Sequence, residues 1–162
     1  MRSFEAVRCE AARDPEDIPL VRTLFEEYAA EIKIDLCFQR FAEELAGLPG
    51  KYLPPGGGLW LASLDGEAVG CVALRGLDTE VCEIKRLFVR QAFRGRGIAR
   101  LLATHALAAA TTAGYRRACL DTLSSMTGAI ALYQSLGFVE VEPYYHNPLP
   151  GARFFGKPLG SA

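Results

Sequence analysis

From Leu59 onward the apolar pattern takes the period of two expected of strands, and at Gly97 it changes to a period near 3.6. That switch limits the fold more than any other feature of the chain. Leu59-Trp60-Leu61-Ala62-Ser63-Leu64 and Ala68-Val69-Gly70-Cys71-Val72-Ala73-Leu74 flank Asp65-Gly66, a pair that favours the two positive φ angles of a tight hairpin. Val81 to Val89 reads as a third antiparallel strand. A helix is predicted from Gly97 to about Ala113, with Leu101, Leu102, His105, Ala106 and Ala109 on its inner face and Gly114 ending it. The next strand, Ala118–Thr122, is then reached through a helix and should be a parallel neighbour by a right-handed crossover. The sheet is therefore mixed, and parallel neighbours that diverge at one end leave a cleft where strand ends meet helix starts.

Upstream, Asp14-Pro15-Glu16-Asp17 offers a capping acid and a proline for the first helical position. Ile18, Val21, Leu24, Phe25, Tyr28, Ala29 and Ile32 continue at helical spacing. Phe41, Leu45 and Leu48 suggest a second, shorter helix, and Pro54-Pro55-Gly56-Gly57-Gly58 breaks the chain before the hairpin. Gly128 to Leu136 reads as a helix closed by Gly137, and Phe138–Val141 as a strand. The predicted class is α/β (α+β), with a mixed central sheet of six to seven strands and about four flanking helices in a single domain, 1–162. The 162 residues, half of them apolar, suffice for one core. A net charge of −1 gives no whole-molecule attraction to nucleic acid or a membrane surface, and no apolar run approaches the ~18 residues of a membrane span. Five cysteines without a CxxC pair, and an N-terminus without an apolar leader, read as a reduced, cytoplasmic protein. His105 and His146 are too isolated for a metal site, so no metal is expected.

The sharp asymmetry is local. Lys85, Arg86, Arg90, Arg94, Arg96 and Arg100 place six of the 18 basic residues in one stretch that holds no acid. Within it, Arg94-Gly95-Arg96-Gly97-Ile98-Ala99 runs from a strand into a helix, so unpaired N–H groups and the positive helix end face one point. A phosphate or pyrophosphate fits there, with the glycines admitting the main chain and the arginines adding charged donors. No Gly-Lys-Ser/Thr follows, which excludes a P-loop, and Arg100 occupies the third glycine position of a dinucleotide fingerprint. A solvated basic loop that merely caps a helix is the plainer alternative.

These residues resemble the GNAT superfamily of acyl-CoA-dependent N-acyltransferases. Arg94-x-x-Gly97-x-Ala99 after Leu87-Phe88-Val89 fits its Arg/Gln-x-x-Gly-x-Gly/Ala signature, and Leu132-Tyr133-x-x-x-Gly137-Phe138 fits its second. The resemblance implies a GNAT-like sheet and acetyl-CoA as cosubstrate. It also implies that Leu87 and Val89, on either side of Phe88, offer main-chain groups to the pantetheine arm, with Arg94, Gly95, Arg96, Gly97, Ile98 and Ala99 around the pyrophosphate and Arg100 nearby. The pattern departs at Met126, where family members often carry an asparagine that touches the pantetheine arm.

Acetyl transfer to an amine needs a base, a polarised carbonyl and a proton for the departing thiolate. In the family's second motif, Tyr133 is the acid. Glu83 and Asp121 are the candidate bases. Glu83 is preferred because strict alternation would set it on one face with Lys85, Leu87 and Val89. A backbone N–H near Phe88 or Val89, freed by a strand bulge, would polarise the carbonyl. Asp35 to Pro55, with Phe38, Phe41 and Tyr52, and the loop Tyr144-Tyr145-His146-Asn147-Pro148 are the expected acceptor walls. The implied activity is N-acetylation of a primary amine on a small, amino-acid-like molecule, in a ternary complex. A non-catalytic acyl-CoA-binding regulatory module is the alternative, nucleic-acid binding through residues 85–100 is the least supported reading, and a homodimer stays open.

Overall fold

A computed structural model describes residues 7–33 and 35–160, without the side chain of Phe38. In chain order the elements are β1 (Arg8–Ala11), α1 (Ile18–Ile32), α2 (Phe41–Ala46), β2 (Gly58–Leu64), β3 (Glu67–Gly76), β4 (Val81–Val89), α3 (Ile98–Thr112), β5 (Arg117–Leu123), α4 (Thr127–Ser135), β6 (Val139–Val141) and β7 (Ala152–Pro158). The strands form one seven-stranded sheet in the order β1-β2-β3-β4-β5-β7-β6. Asp65 and Gly66 take φ of 53° and 77°, the paired left-handed residues that close a two-residue hairpin between β2 and β3.

Two apolar layers cover the two sheet faces. On one face, α3 and α4 pack Ile98, Leu102, Ala106, Ala110, Ile130 and Tyr133 against Val69, Val72, Leu74, Ile84, Val89 and Leu120. On the other, Val21, Leu24 and Phe25 of α1 cover Leu59, Leu61, Cys71, Ala73 and Phe88. Two sequence expectations shift here. The first helix starts at Ile18, with Asp17 at its N-cap, and Pro19 takes the early proline position. The Asp17 carboxylate turns back to the Arg13 amide at 2.8 Å and so does not cap the helix. The inner face of α3 is also rotated from expectation: Ala103, Leu107 and Ala110 are buried, whereas His105 is exposed.

β4 and β5 are parallel, as the crossover requires, but their pairing lasts only from Val81–Arg117 to Glu83–Cys119. Beyond Glu83 the strands part. On its other side β4 pairs with β3 antiparallel, and the register slips so that Ala73 opposes Lys85 while Cys71 opposes Phe88. The extra residue is a β-bulge marked by Arg86, which has a φ of 58°. The Cys71 thiol donates to the Arg86 carbonyl at 3.3 Å, and the Arg86 guanidinium meets both Glu44 carboxylate oxygens at 2.9 Å. A non-glycine residue is thus held in the left-handed region by tertiary contacts on both its main chain and its side chain.

Candidate active site

The separation of β4 from β5 opens a cleft of about 730 Å³. One wall is β4 from Ile84 to Val89, the opposite wall is Thr122 and Leu123 with the start of α4, and one end is the loop into α3. Gly95 and Gly97 have φ of 80° and 77°, and Gly97 is the N-cap of α3. No side chain caps this helix, and its first closing bond is Leu101 N–H to the Gly97 carbonyl. The amides of Ile98, Ala99 and Arg100 therefore begin the helix without acceptors, where the helix field favours an anion. A Cβ on Gly95 or Gly97 would meet no atom within 4 Å, so the glycines serve the loop's left-handed turns and leave space in front of those amides. The cradle fits the diphosphate of a coenzyme A.

Of the residues expected around the coenzyme, Leu87, Phe88, Val89, Arg94, Gly95, Gly97, Ile98, Ala99 and Arg100 line this cleft. Arg96 does not, and its guanidinium lies 5.5 Å over the Phe93 ring. Arg94 is already engaged: it donates to the Val89 carbonyl at 2.8 Å, meets Glu31 at 2.5 Å and lies over the Phe88 ring. Arg100 donates to the Ser135 hydroxyl at 2.6 Å. Met126 stands at the N-cap of α4 on the cleft wall, where its sulfur receives the Thr122 hydroxyl at 3.5 Å.

Tyr133 lines the same cleft from the far side of α4, its ring edge-on to Phe138 at 5.8 Å. Burial, then the neighbouring Tyr28 and Asp121, raise its pKa above the ordinary tyrosine value. The phenol therefore keeps its proton at neutral pH. Asp121 lies beyond, in a smaller cavity of about 40 Å³ shared with Tyr28, Gln39, Lys85, Arg86, Thr122, Met126 and Asn147. Its carboxylate accepts from the Tyr145 hydroxyl and from Asn147 Nδ2 at 2.9 Å.

Glu83 is placed differently from the alternation argument. The Arg86 bulge reverses the phase of β4, so Cys82 and Ile84 lie with Leu87 and Val89 on the α3 side, whereas Lys85, Arg86 and Phe88 turn toward α1 and α2. Glu83 shares the phase of Lys85 and not that of Leu87 and Val89. It is fully buried and outside the cleft lining, with Arg75 Nε 2.8 Å from one oxygen and the Tyr144 hydroxyl 2.5 Å from the other. The cysteines beside the two acids are thiols, since burial pushes Cys82 up to about 12 and Cys119 up to about 11. Phe41 packs under Arg86, Tyr52 meets Phe25 edge-on and lines a basin of about 490 Å³ with Gln39, Lys85 and Tyr145, His146 is exposed, and the Phe38 side chain lies outside the described residues. Lys85 and Gln39, neither singled out as site residues from the sequence, both face the Asp121 cavity. Among the described residues no cluster of His, Cys, Asp and Glu could hold a metal, and no helix is long and apolar enough to cross a membrane.

The sheet thus splits between its parallel strands, with a helix start that can receive an anion at one end of the split and a protonated phenol within it. The acetyltransferase (GNAT) family model matches residues 18–138, and the chain belongs to that family. It is 39% identical over 146 residues to an uncharacterized N-acetyltransferase of Schizosaccharomyces pombe, covering 89% of this chain and 90% of that one. It is also 39% identical over 99 residues to the N-acetylaspartate synthetase of Homo sapiens, a match spanning 60% of this chain and 33% of the human protein. An acetyltransferase structure from Streptococcus agalactiae has the same fold, with a TM-score of 0.78 at 20% identity over 96% of this chain and 100% of the other.

Proposed function

We propose that this chain, acting as one domain, is an N-acetyltransferase that moves the acetyl group of acetyl-CoA to the primary amine of a small, amino-acid-like acceptor. The observation that carries this reading is the meeting of two cavities at the β4–β5 split, one running from the α3 cradle past Tyr133 and the other holding Asp121. Similarity to a protein named for making N-acetylaspartate supports the acceptor class. Bound acetyl-CoA supplies an acetyl thioester: the amine nitrogen bonds to the acetyl carbon as the carbon–sulfur bond breaks, giving an amide and the free thiol.

The chain's residues do the rest. The amides of Ile98, Ala99 and Arg100, with Arg94 and the Arg100 side chain, hold the diphosphate, and the main chain of Leu87 and Val89 orients the pantetheine arm. Asp121 takes the ammonium proton, directly or through one water, so that the nitrogen lone pair is free to attack. Tyr133 presents its hydroxyl proton to the sulfur that leaves. Glu83, locked between Arg75 and Tyr144, positions the loop over the acceptor and does not reach the amine. A panel of primary amines assayed for thiol release from acetyl-CoA tests the proposal. Release with some amines supports it. Tight coenzyme binding without release for any amine overturns it in favour of an acyl-CoA-binding regulatory module.

A further inference from the structure

The charged residues lining the Asp121 cavity are Lys85, Arg86 and Asp121. Arg86 is matched in full by the two oxygens of Glu44. Asp121 has only neutral donors, Tyr145 and Asn147, among the described residues. Lys85 Nζ lies 3.3 Å from Gln39 Oε1 and 3.8 Å from Glu83 Oε1, but that same Glu83 oxygen is taken by Arg75 at 2.8 Å. Glu83 therefore answers two cations with one charge, the nearer being Arg75, while Asp121 meets no cation, so the cavity carries one positive and one negative charge that are not balanced within it. The Lys85 side chain is 9% exposed. Burying an ammonium this far is costly unless a partner compensates it, and burial followed by the adjacent Arg86 holds its pKa below the ordinary lysine value.

Building on the acetyl transfer proposed above, we infer that the acceptor is an amino acid, its carboxylate received by Lys85 while its amine meets Asp121. A simple amine would pair with Asp121 and leave the buried Lys85 as it is. An amino acid supplies both missing charges at once and is turned so that the nitrogen, not the carboxylate, faces the split. Gln39 holds the place of the carboxylate meanwhile. Its amide oxygen accepts from Lys85 and its Nε2 donates to the Tyr145 hydroxyl at 3.1 Å, closing the small cavity from a neighbouring basin of about 490 Å³ that the same three residues line. At about 40 Å³ the cavity has room for water but not for an amino acid until this strap moves. Exchange of the Gln39 carbonyl for a carboxylate gives Lys85 a charge-assisted bond and opens this strap as the acceptor enters.

The test pairs each of the twenty amino acids with its C-terminal amide, which keeps the amine and the side chain but loses the negative charge. Calorimetry on the full chain in the presence of coenzyme A, where no transfer can occur, should show the preferred acid binding about 10–100-fold more tightly than its amide. In Lys85→Met the affinity for the acid should fall to near that for the amide. Equal or tighter binding of the amides to the wild type overturns the inference, as does a Lys85→Met protein that keeps the preference. If Lys85→Met does not fold, the wild-type pair decides. Thiol release separates the two layers of the argument. Amides acetylated as well as acids would leave the transferase standing without the carboxylate site, and acid-selective binding with no release would leave the site without the transferase.

Discussion

The two ends of the split are built from different materials. At the α3 end, proposed for the coenzyme, main-chain amides at a helix start are contributed by one uninterrupted segment and wait without partners. At the Asp121 end they are side chains from the turn before α2, β4, β5 and the loop before β7, and Gln39, Lys85, Asp121, Tyr145 and Asn147 are already bonded to one another. A site made of backbone is ready as folded. A site made of a closed side-chain network has to exchange partners when its ligand arrives, and that exchange is where selectivity arises.

The sharpest way to break this contrast is Gly97→Glu. The new Cβ clashes with nothing, so the fold should lose only about 1–2 kcal/mol for an L-residue at a φ of 77°, while the carboxylate fills the anion cradle and weakens coenzyme A binding more than about 100-fold. Calorimetry and thermal unfolding check both halves, and unchanged affinity would mean the amides are not the binding groups. Next in size, Asp121→Asn should lower turnover about 100-fold with coenzyme affinity unchanged. Glu83→Gln should act chiefly on stability, by about 3 kcal/mol, because it removes the one carboxylate that the half-buried Arg75 and the more deeply buried Lys85 share. A larger turnover loss in Glu83→Gln, at intact stability, would return the base to β4. Tyr133→Phe removes one hydroxyl and should cost about 10–100-fold in turnover; since the phenol titrates above its ordinary value, the wild-type rate should show no alkaline fall from this group at pH 7–9. The smallest effect tests whether the coenzyme end is as unencumbered as its backbone suggests. Glu31→Gln should free Arg94 from an exposed ion pair and tighten coenzyme A by up to about 5-fold. Weaker binding would show that Glu31 holds Arg94 in its working position.

The same contrast explains what could be read from the sequence. The hairpin at Asp65-Gly66, the strand-to-helix switch at Gly97 and the Leu132-Tyr133 motif are local signals, each set by neighbours within a few residues. The GNAT resemblance rested on them, and the family match and the fold bear it out. The Asp121 end depends on contacts such as Gln39 with Tyr145, 106 positions apart, which no local pattern encodes. The bulge was equally hidden. No glycine, asparagine or proline marks position 86, because its conformation is imposed by Glu44 from α2 and Cys71 from β3. The face assigned to Glu83 failed for that single reason. The rotated face of α3 failed for another: in a helix so rich in alanine, apolar residues lie on nearly every side, and packing against β3 and β4 chooses among them.

That inserted residue also has a consequence for how such a protein can diverge. On the near side of Arg86, position 85 faces the small cavity that holds Asp121; past it, positions 87 and 89 line the larger cleft on the α3 side. One strand therefore addresses two cavities through residues of opposite phase. Under the proposed function, substitutions at Lys85 would act chiefly on the acceptor and those at Leu87 and Val89 on the donor, whereas a descendant that lost the extra residue would turn one of the two sets to the opposite face and have to relearn both.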